Sequence, residues 1–210
     1  MTVGRIIETL DCVAEGADWL AAREPRFAFA LAQCGPLPLR RTADGFGALL
    51  SAIVGQQVST ASAAAIWKRL DDAGLTAESA VAAAEAEALR AAGLSRPKIA
   101  YAQGLARAGI DYPGLRNCPD EEVVAALTAV KGIGVWTAEI YAMFALGRAD
   151  VFAAGDLALQ ESARVLFDLP ERPTPAQLRA MAEDWSPWRA VAARLLWAYY
   201  RQIKQREGIR

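Results

Sequence analysis

The chain has 210 residues, of which 54% are apolar and 22% charged, with a net charge of −1 and a pI near 5.7. This is the composition of a packed protein with one core or two small lobes, and it excludes a disordered chain. The absence of histidine removes Ser-His-Asp and Cys-His machinery and leaves acid–base chemistry near neutral pH to carboxylates. Cys12, Cys34 and Cys118 are too far apart for a disulfide framework, a zinc site or an iron–sulfur cluster.

The first sixteen residues, MTVGRIIETLDCVAEG, carry acids where a secretory signal needs a basic start. The longest oily stretch, 123–146, is interrupted by Lys131, Gly132, Gly134 and Glu139, so no membrane span is expected. A cytoplasmic monomer is the default. A balanced charge argues mildly against nucleic acid as a partner, although a protein that grips a few phosphates through backbone amides needs no large positive field.

Alanine is abundant, apolar residues recur at three- and four-residue spacing, and alternation is rare, so the fold is predicted to be all-α. Phe46, Leu49, Leu50, Ile53 and Val54 form one helical stripe after an Asp44-Gly45 start, and Gly55-Gln56-Gln57 breaks it. Ser59 caps the next helix, which runs to about Leu70. Further helices are predicted over 78–92, stopped by Gly93, and over 97–108, stopped by Gly109. A loop at 168–173 precedes helices over 175–183 and 187–205, the latter capped by Ser186 with Pro187 at its first position.

The segment 117–160 carries the functional signal. Asp120, Glu121 and Glu122 crowd the first turn of a helix entered through Pro119, where negative charge complements the dipole, and Val123, Val124, Leu127 and Val130 face inward. Gly132-Ile133-Gly134 cannot continue that helix, and a second one begins at Val135 and Trp136. In such a hairpin the missing β-carbons admit a close neighbour while the first amides of the second helix point outward, an arrangement suited to phosphate. An ordinary αα-corner is the structural alternative.

Asp156 lies twenty-two positions beyond Gly134 in Val151-Phe152-Ala153-Ala154-Gly155-Asp156 and can cap a helix from Leu157. This order of features resembles the helix-hairpin-helix (HhH-GPD) base-excision DNA glycosylase superfamily. Ala52-Ile53-Val54-Gly55-Gln56-Gln57-Val58-Ser59 is similar to the I-x-G-Q-x-V-S segment of its 3-methyladenine DNA glycosylase II family, and Pro187-Trp188-Arg189 with Trp197 is similar to that family's final helix. The similar segments span roughly 40 to 205.

The resemblance implies two helical lobes with a cleft between them, one lobe of 1–40 plus 170–210, the other of 41–169 containing the hairpin 128–137; the sequence departs from longer members in beginning almost directly with helices, so their N-terminal β domain is not expected. It implies a monofunctional enzyme that flips alkylated purines, of the 3-methyladenine or 7-methylguanine type, out of double-stranded DNA and hydrolyses their glycosidic bond. Asp156 would be the catalytic carboxylate, Trp136, Trp197 and Tyr141 the base pocket, and Gln57 with Gln56 the wedge that fills the gap. Gly132, Ile133, Gly134, Trp136 and Thr137 would form the phosphate-binding hairpin, and the carbonyls of Thr128, Val130 and Gly132 could hold a structural sodium or potassium ion, no other cofactor being required.

Backbone-cutting members of the superfamily have a lysine where this chain has Trp136, so lyase activity is not expected. Gln57 and Leu157 replace the apolar wedge and the aromatic residue found in some relatives, which leaves hypoxanthine or 1-methyladenine open as substrates. Arg96, Lys98, Arg148, Arg164 and Arg189 could each touch phosphate or solvate a surface, and Lys131 is read as solvated or phosphate-facing. The readings from other classes are a DNA-binding module without catalysis and an unrelated helical protein.

Overall fold

A computed structural model describes residues 3–206, in which the regular secondary structure is helical. In chain order the helices are α1 (Leu10–Arg23), α2 (Pro25–Cys34), α3 (Phe46–Gly55), α4 (Thr60–Asp72), α5 (Glu78–Ala83), α6 (Ala86–Ala91) and α7 (Arg96–Ala106). There follow α8 (Tyr112–Leu115), α9 (Asp120–Thr128), α10 (Val135–Phe144), α11 (Leu157–Leu166), α12 (Pro175–Met181), a 3-10 turn (Ala182–Trp185) and α13 (Arg189–Arg206). Among the described residues the one β feature is a bridge between Ile6 and Arg148. No helix among them is long and apolar enough to cross a membrane.

The chain divides into two compact units, Met1–Val3 with Thr42–Tyr141 and Gly4–Arg41 with Ala142–Arg210. Residues 142–169 therefore belong with the second unit, not with 41–141 as the sequence suggested. The reason is packing. The apolar face of α11, with Leu159, Ala163 and Leu166, lies against α13, whose Val191, Leu195 and Leu196 are likewise buried.

In the first unit α3 packs on α4 and α7, and α7 takes α5 and α6 on its flank. The predicted stripe is its core: Phe46, Leu49, Leu50, Ile53 and Val54 are all buried, with Leu70, Val81, Leu89, Leu105 and Leu127 around them. Ser59 caps α4 by accepting from the Ser62 amide at 3.2 Å. Asp44 does not cap α3; its carboxylate takes a two-pronged bond from Arg116 at 2.6 and 2.9 Å, and Gly45 stands at the cap with φ +96°. The expected helix over 78–92 is two helices, because the Ala84 and Ala82 carbonyls are taken by Gln103 Nε2 at 2.8 Å and Arg107 Nη2 at 3.0 Å, and Glu85 is extended.

The second unit closes around an aromatic cluster in which Trp185 packs on Phe27, Phe152 and Phe167 with ring centroids 5.1 to 5.8 Å apart. Helix α1 lies against α2 and α13. The last helix starts at Arg189, two residues later than expected, because the Ser186 hydroxyl donates to Asp150 Oδ2 at 2.7 Å. Arg189 grips the same carboxylate at 2.7 and 2.9 Å.

Candidate active site and hairpin

Within the second unit Asp156 is the N-cap of α11. Its Oδ1 accepts from the Ala158 amide at 2.9 Å, the Leu159 amide at 3.1 Å and Trp197 Nε1 at 3.2 Å. Three donors on one oxygen fix the rotation of the carboxylate at the start of the helix. Trp197, half-buried on α13, is itself steadied by Phe144, 5.7 Å away between centroids. Leu157, immediately after the aspartate, is 62% exposed, an apolar surface beside an acid. A half-buried, hydrogen-bonded carboxylate next to an indole is where an electron-poor carbon could be stabilised.

The first unit carries the hairpin. α9 ends at Thr128, Ile133 is buried as the plug between the two glycines, and α10 starts at Val135 with Gly134 as its cap, whose carbonyl accepts from the Ala138 amide at 3.0 Å. Gly132 has φ +98°, and Tyr101 packs so tightly on its Cα that a side chain there would overlap the ring. Gly134 is not left-handed and has no heavy atom within 4 Å of where its Cβ would stand. The two glycines thus differ in kind: one makes the turn, the other leaves a surface open. Gly134, Val135 and Trp136 are exposed, whereas Thr137 is buried.

The loop after α3 is tied to this hairpin. Gln56 Nε2 donates to the Gly132 carbonyl at 3.0 Å, and the buried Lys98 donates its Nζ to the Val54 carbonyl at 2.8 Å. Burial pushes the Lys98 ammonium below its ordinary pKa. Gln57 is exposed at φ +56°, a left-handed conformation uncommon for a residue with a β-carbon. The two glutamines named together as a wedge therefore separate: Gln56 braces the loop and Gln57 projects. Gly132 and Val130 also bear on an alkali cation, since their carbonyls already accept from Gln56 and from the Ile133 amide. Each keeps a second lone pair, so with Thr128 the three fit an ion only as shared acceptors.

Other sequence-predicted residues have structural duties. Tyr141 is 4% exposed, and its hydroxyl accepts from the Gly45 amide at 2.9 Å, so it holds the start of α3 and does not present a ring to a base. Burial pushes its phenol up, and Asp44 adds to this. Tyr141→Phe should cost about 1 kcal/mol in urea denaturation, the value of a part-buried hydrogen bond, and an unchanged midpoint would remove it from that role. Of the cations considered for phosphate, Lys98 and Arg148 are buried, Arg164 pairs with Glu161 at 2.7 Å, and Arg189 is held by Asp150. Trp136 stands 45% exposed at the start of α10.

The chain as a whole is similar to known proteins. Residues 50–187 match the family model of the HhH-GPD superfamily base excision DNA repair proteins. DNA-3-methyladenine glycosylase 1 of Schizosaccharomyces pombe (strain 972) is 32% identical over 160 residues, 71% of this chain and 69% of that protein. The crystal structure of a DNA-3-methyladenine glycosidase from Bacillus halodurans is similar with a TM-score of 0.82 at 31% identity, covering 90% of this chain and 91% of that one. A Schizosaccharomyces pombe 3-methyladenine DNA glycosylase in complex with abasic DNA is similar with a TM-score of 0.76 at 28% identity, over 87% and 95% of the two chains. With the family model matched over 50–187 and a relative 32% identical across most of both chains, the chain belongs to the HhH-GPD superfamily of base excision DNA repair proteins.

Proposed function

We propose that this protein is a monofunctional DNA glycosylase that removes alkylated purines of the 3-methyladenine and 7-methylguanine type from double-stranded DNA. The observation that carries the reading is Asp156, whose carboxylate is fixed by two helix amides and the Trp197 indole. Its support is the family, together with a relative whose name is DNA-3-methyladenine glycosylase and a similar fold in complex with abasic DNA, the product such an enzyme leaves.

The reacting bond is inaccessible in a stacked duplex, so the nucleotide must be turned out at a cost of a few kcal/mol. Gln57, exposed and held in a constrained turn, fills the vacated space, while Gln56 and Lys98 keep its loop in place. The exposed amides around Gly134 and Val135 receive backbone phosphate. An alkali ion shared by the carbonyls of Thr128, Val130 and Gly132 would brace that turn and take no part in the chemistry.

A purine methylated at N3 or N7 is cationic and leaves readily, and it gains about 0.5 to 2 kcal/mol from an indole face such as those of Trp136 and Trp197. As the bond lengthens, positive charge builds on the sugar. The Asp156 carboxylate stabilises that charge and directs the incoming water. With Trp136 where a Schiff-base lysine would be needed, no imine forms, and the protein acts as a monomer in the cytoplasm without a required cofactor.

The test is to incubate the protein with methylated genomic DNA and identify the released bases by mass spectrometry. Free 3-methyladenine and 7-methylguanine are expected, with no strand scission and no covalent adduct after borohydride. DNA bound but no base released would replace this reading with that of a non-catalytic DNA-binding module.

A further inference from the structure

The second unit contains four arginines that this chemistry leaves unused. Arg194, on α13, is 1% exposed, yet its donors reach only carbonyl oxygens: Nη1 meets Ala190 at 2.8 Å, while Nη2 and Nε meet Leu39 at 3.1 and 3.3 Å. Its guanidinium lies over Phe144, 4.9 Å from the ring centroid. By holding the Leu39 carbonyl it fixes the backbone just before Arg40, which takes φ +53° and lays its guanidinium over Trp197 at 5.7 Å. Arg41 packs its Nη1 across Gly147 so closely that a β-carbon there would overlap it, and Arg201 stands exposed one turn beyond Trp197.

None of the four forms an ion pair with a carboxylate of the described residues. In a chain with 24 acids and 23 bases, this is a marked segregation of charge. The groups feel it. Burial and the nearby Arg201 hold Arg40 below its ordinary pKa, and burial, with Arg40 and Arg41, brings Arg194 down to about 10. A buried charge that has hydrogen bonds but no counter-charge lacks an anion. A phosphodiester supplies one, since its paired oxygens match the guanidinium fork.

We propose that Arg40, Arg41 and Arg201, shaped by Arg194 beneath them, form a binding site for a DNA backbone phosphate next to the nucleotide whose sugar meets Asp156. Position favours this choice: Arg40 covers the indole whose Nε1 holds the Asp156 carboxylate. A phosphate there also neutralises the positive charge that would otherwise oppose a cationic base near Trp197. The choice of DNA as the source of the phosphate rests on the glycosylase reading; the anion site does not.

The experiment is fluorescence anisotropy of the full chain with a duplex carrying an abasic-site analogue, at salt from about 50 to 200 mM. Arg40→Gln, Arg41→Gln and Arg201→Gln should each reduce the slope of log affinity against log salt by about 0.9 and weaken binding several-fold at the low-salt end. Arg40→Lys and Arg201→Lys, which keep the charge, should retain the slope. Unchanged slopes in all three Gln variants, shown to be folded by thermal melting, overturn the site. Binding requires no turnover, so reduced slopes with no base released by the unsubstituted protein would leave the anion site standing and sink the glycosylase reading.

Discussion

Asp156→Asn is expected to cut single-turnover release of 3-methyladenine by about 10²- to 10³-fold, the usual loss when charge stabilisation of a transition state is removed. The substitution separates charge from architecture. Asparagine caps helices about as well as aspartate, and its carbonyl oxygen can keep the Ala158 and Leu159 amides and the Trp197 indole that Oδ1 now accepts. Stability should therefore move by less than about 1 kcal/mol, and affinity for an abasic-site duplex should hold. Asp156→Ala would lose the cap as well, adding about 1 kcal/mol of destabilisation. Release by Asp156→Asn at the rate of the unsubstituted protein would show that the carboxylate only starts α11.

What the sequence disclosed and what it hid follow from the range of the forces involved. The apolar stripe of α3, the Ser59 cap and the helix stops at Gly93 and Gly109, both at positive φ, are local effects written within a few residues. So is the hairpin, whose glycines and acidic first turn stand together in the chain. The break between α5 and α6 was not legible, because the donors that capture Ala84 and Ala82 come from Gln103 on α7 and Arg107 just after it, about twenty residues away in sequence. The division of the chain shifted for a similar reason: the partner of α11 is α13, and nothing in the spacing of either says so.

At the site the same distinction applies. Asp156 is legible through the family resemblance, which expects an aspartate at that distance from the hairpin, whereas its third donor, Trp197, is 41 residues away and its role as a hydrogen-bond donor to the carboxylate has no sequence signature. Gln56 and Gln57 look equivalent as letters, and only the left-handed turn at Gln57 sends one to Gly132 and the other to the surface. The four arginines were invisible for the plainest reason. Arg194 meets Leu39 across 155 residues, and an arginine without a nearby acid in sequence is indistinguishable from any solvated one.

The two hairpin glycines should respond in opposite ways to a methyl group. Gly132→Ala forces a side chain into a φ of +98° and onto the ring of Tyr101, whose Cβ would lie 2.7 Å away. Backbone strain and overlap together should cost about 3 kcal/mol, read as a lowered denaturation midpoint. Gly134→Ala meets open space in the protein and should cost at most about 1 kcal/mol, the difference between glycine and alanine at a helix cap. That methyl nevertheless stands on the exposed side of the turn, where a phosphate must approach the α10 amides, so duplex affinity should fall about tenfold, equivalent to 1.4 kcal/mol. Gly134→Ser distinguishes the two causes. Serine is the better cap yet still fills the space, so a folded Gly134→Ser variant with weakened DNA binding assigns the loss to phosphate approach, and full affinity in both Gly134 variants would show that the hairpin is a structural corner.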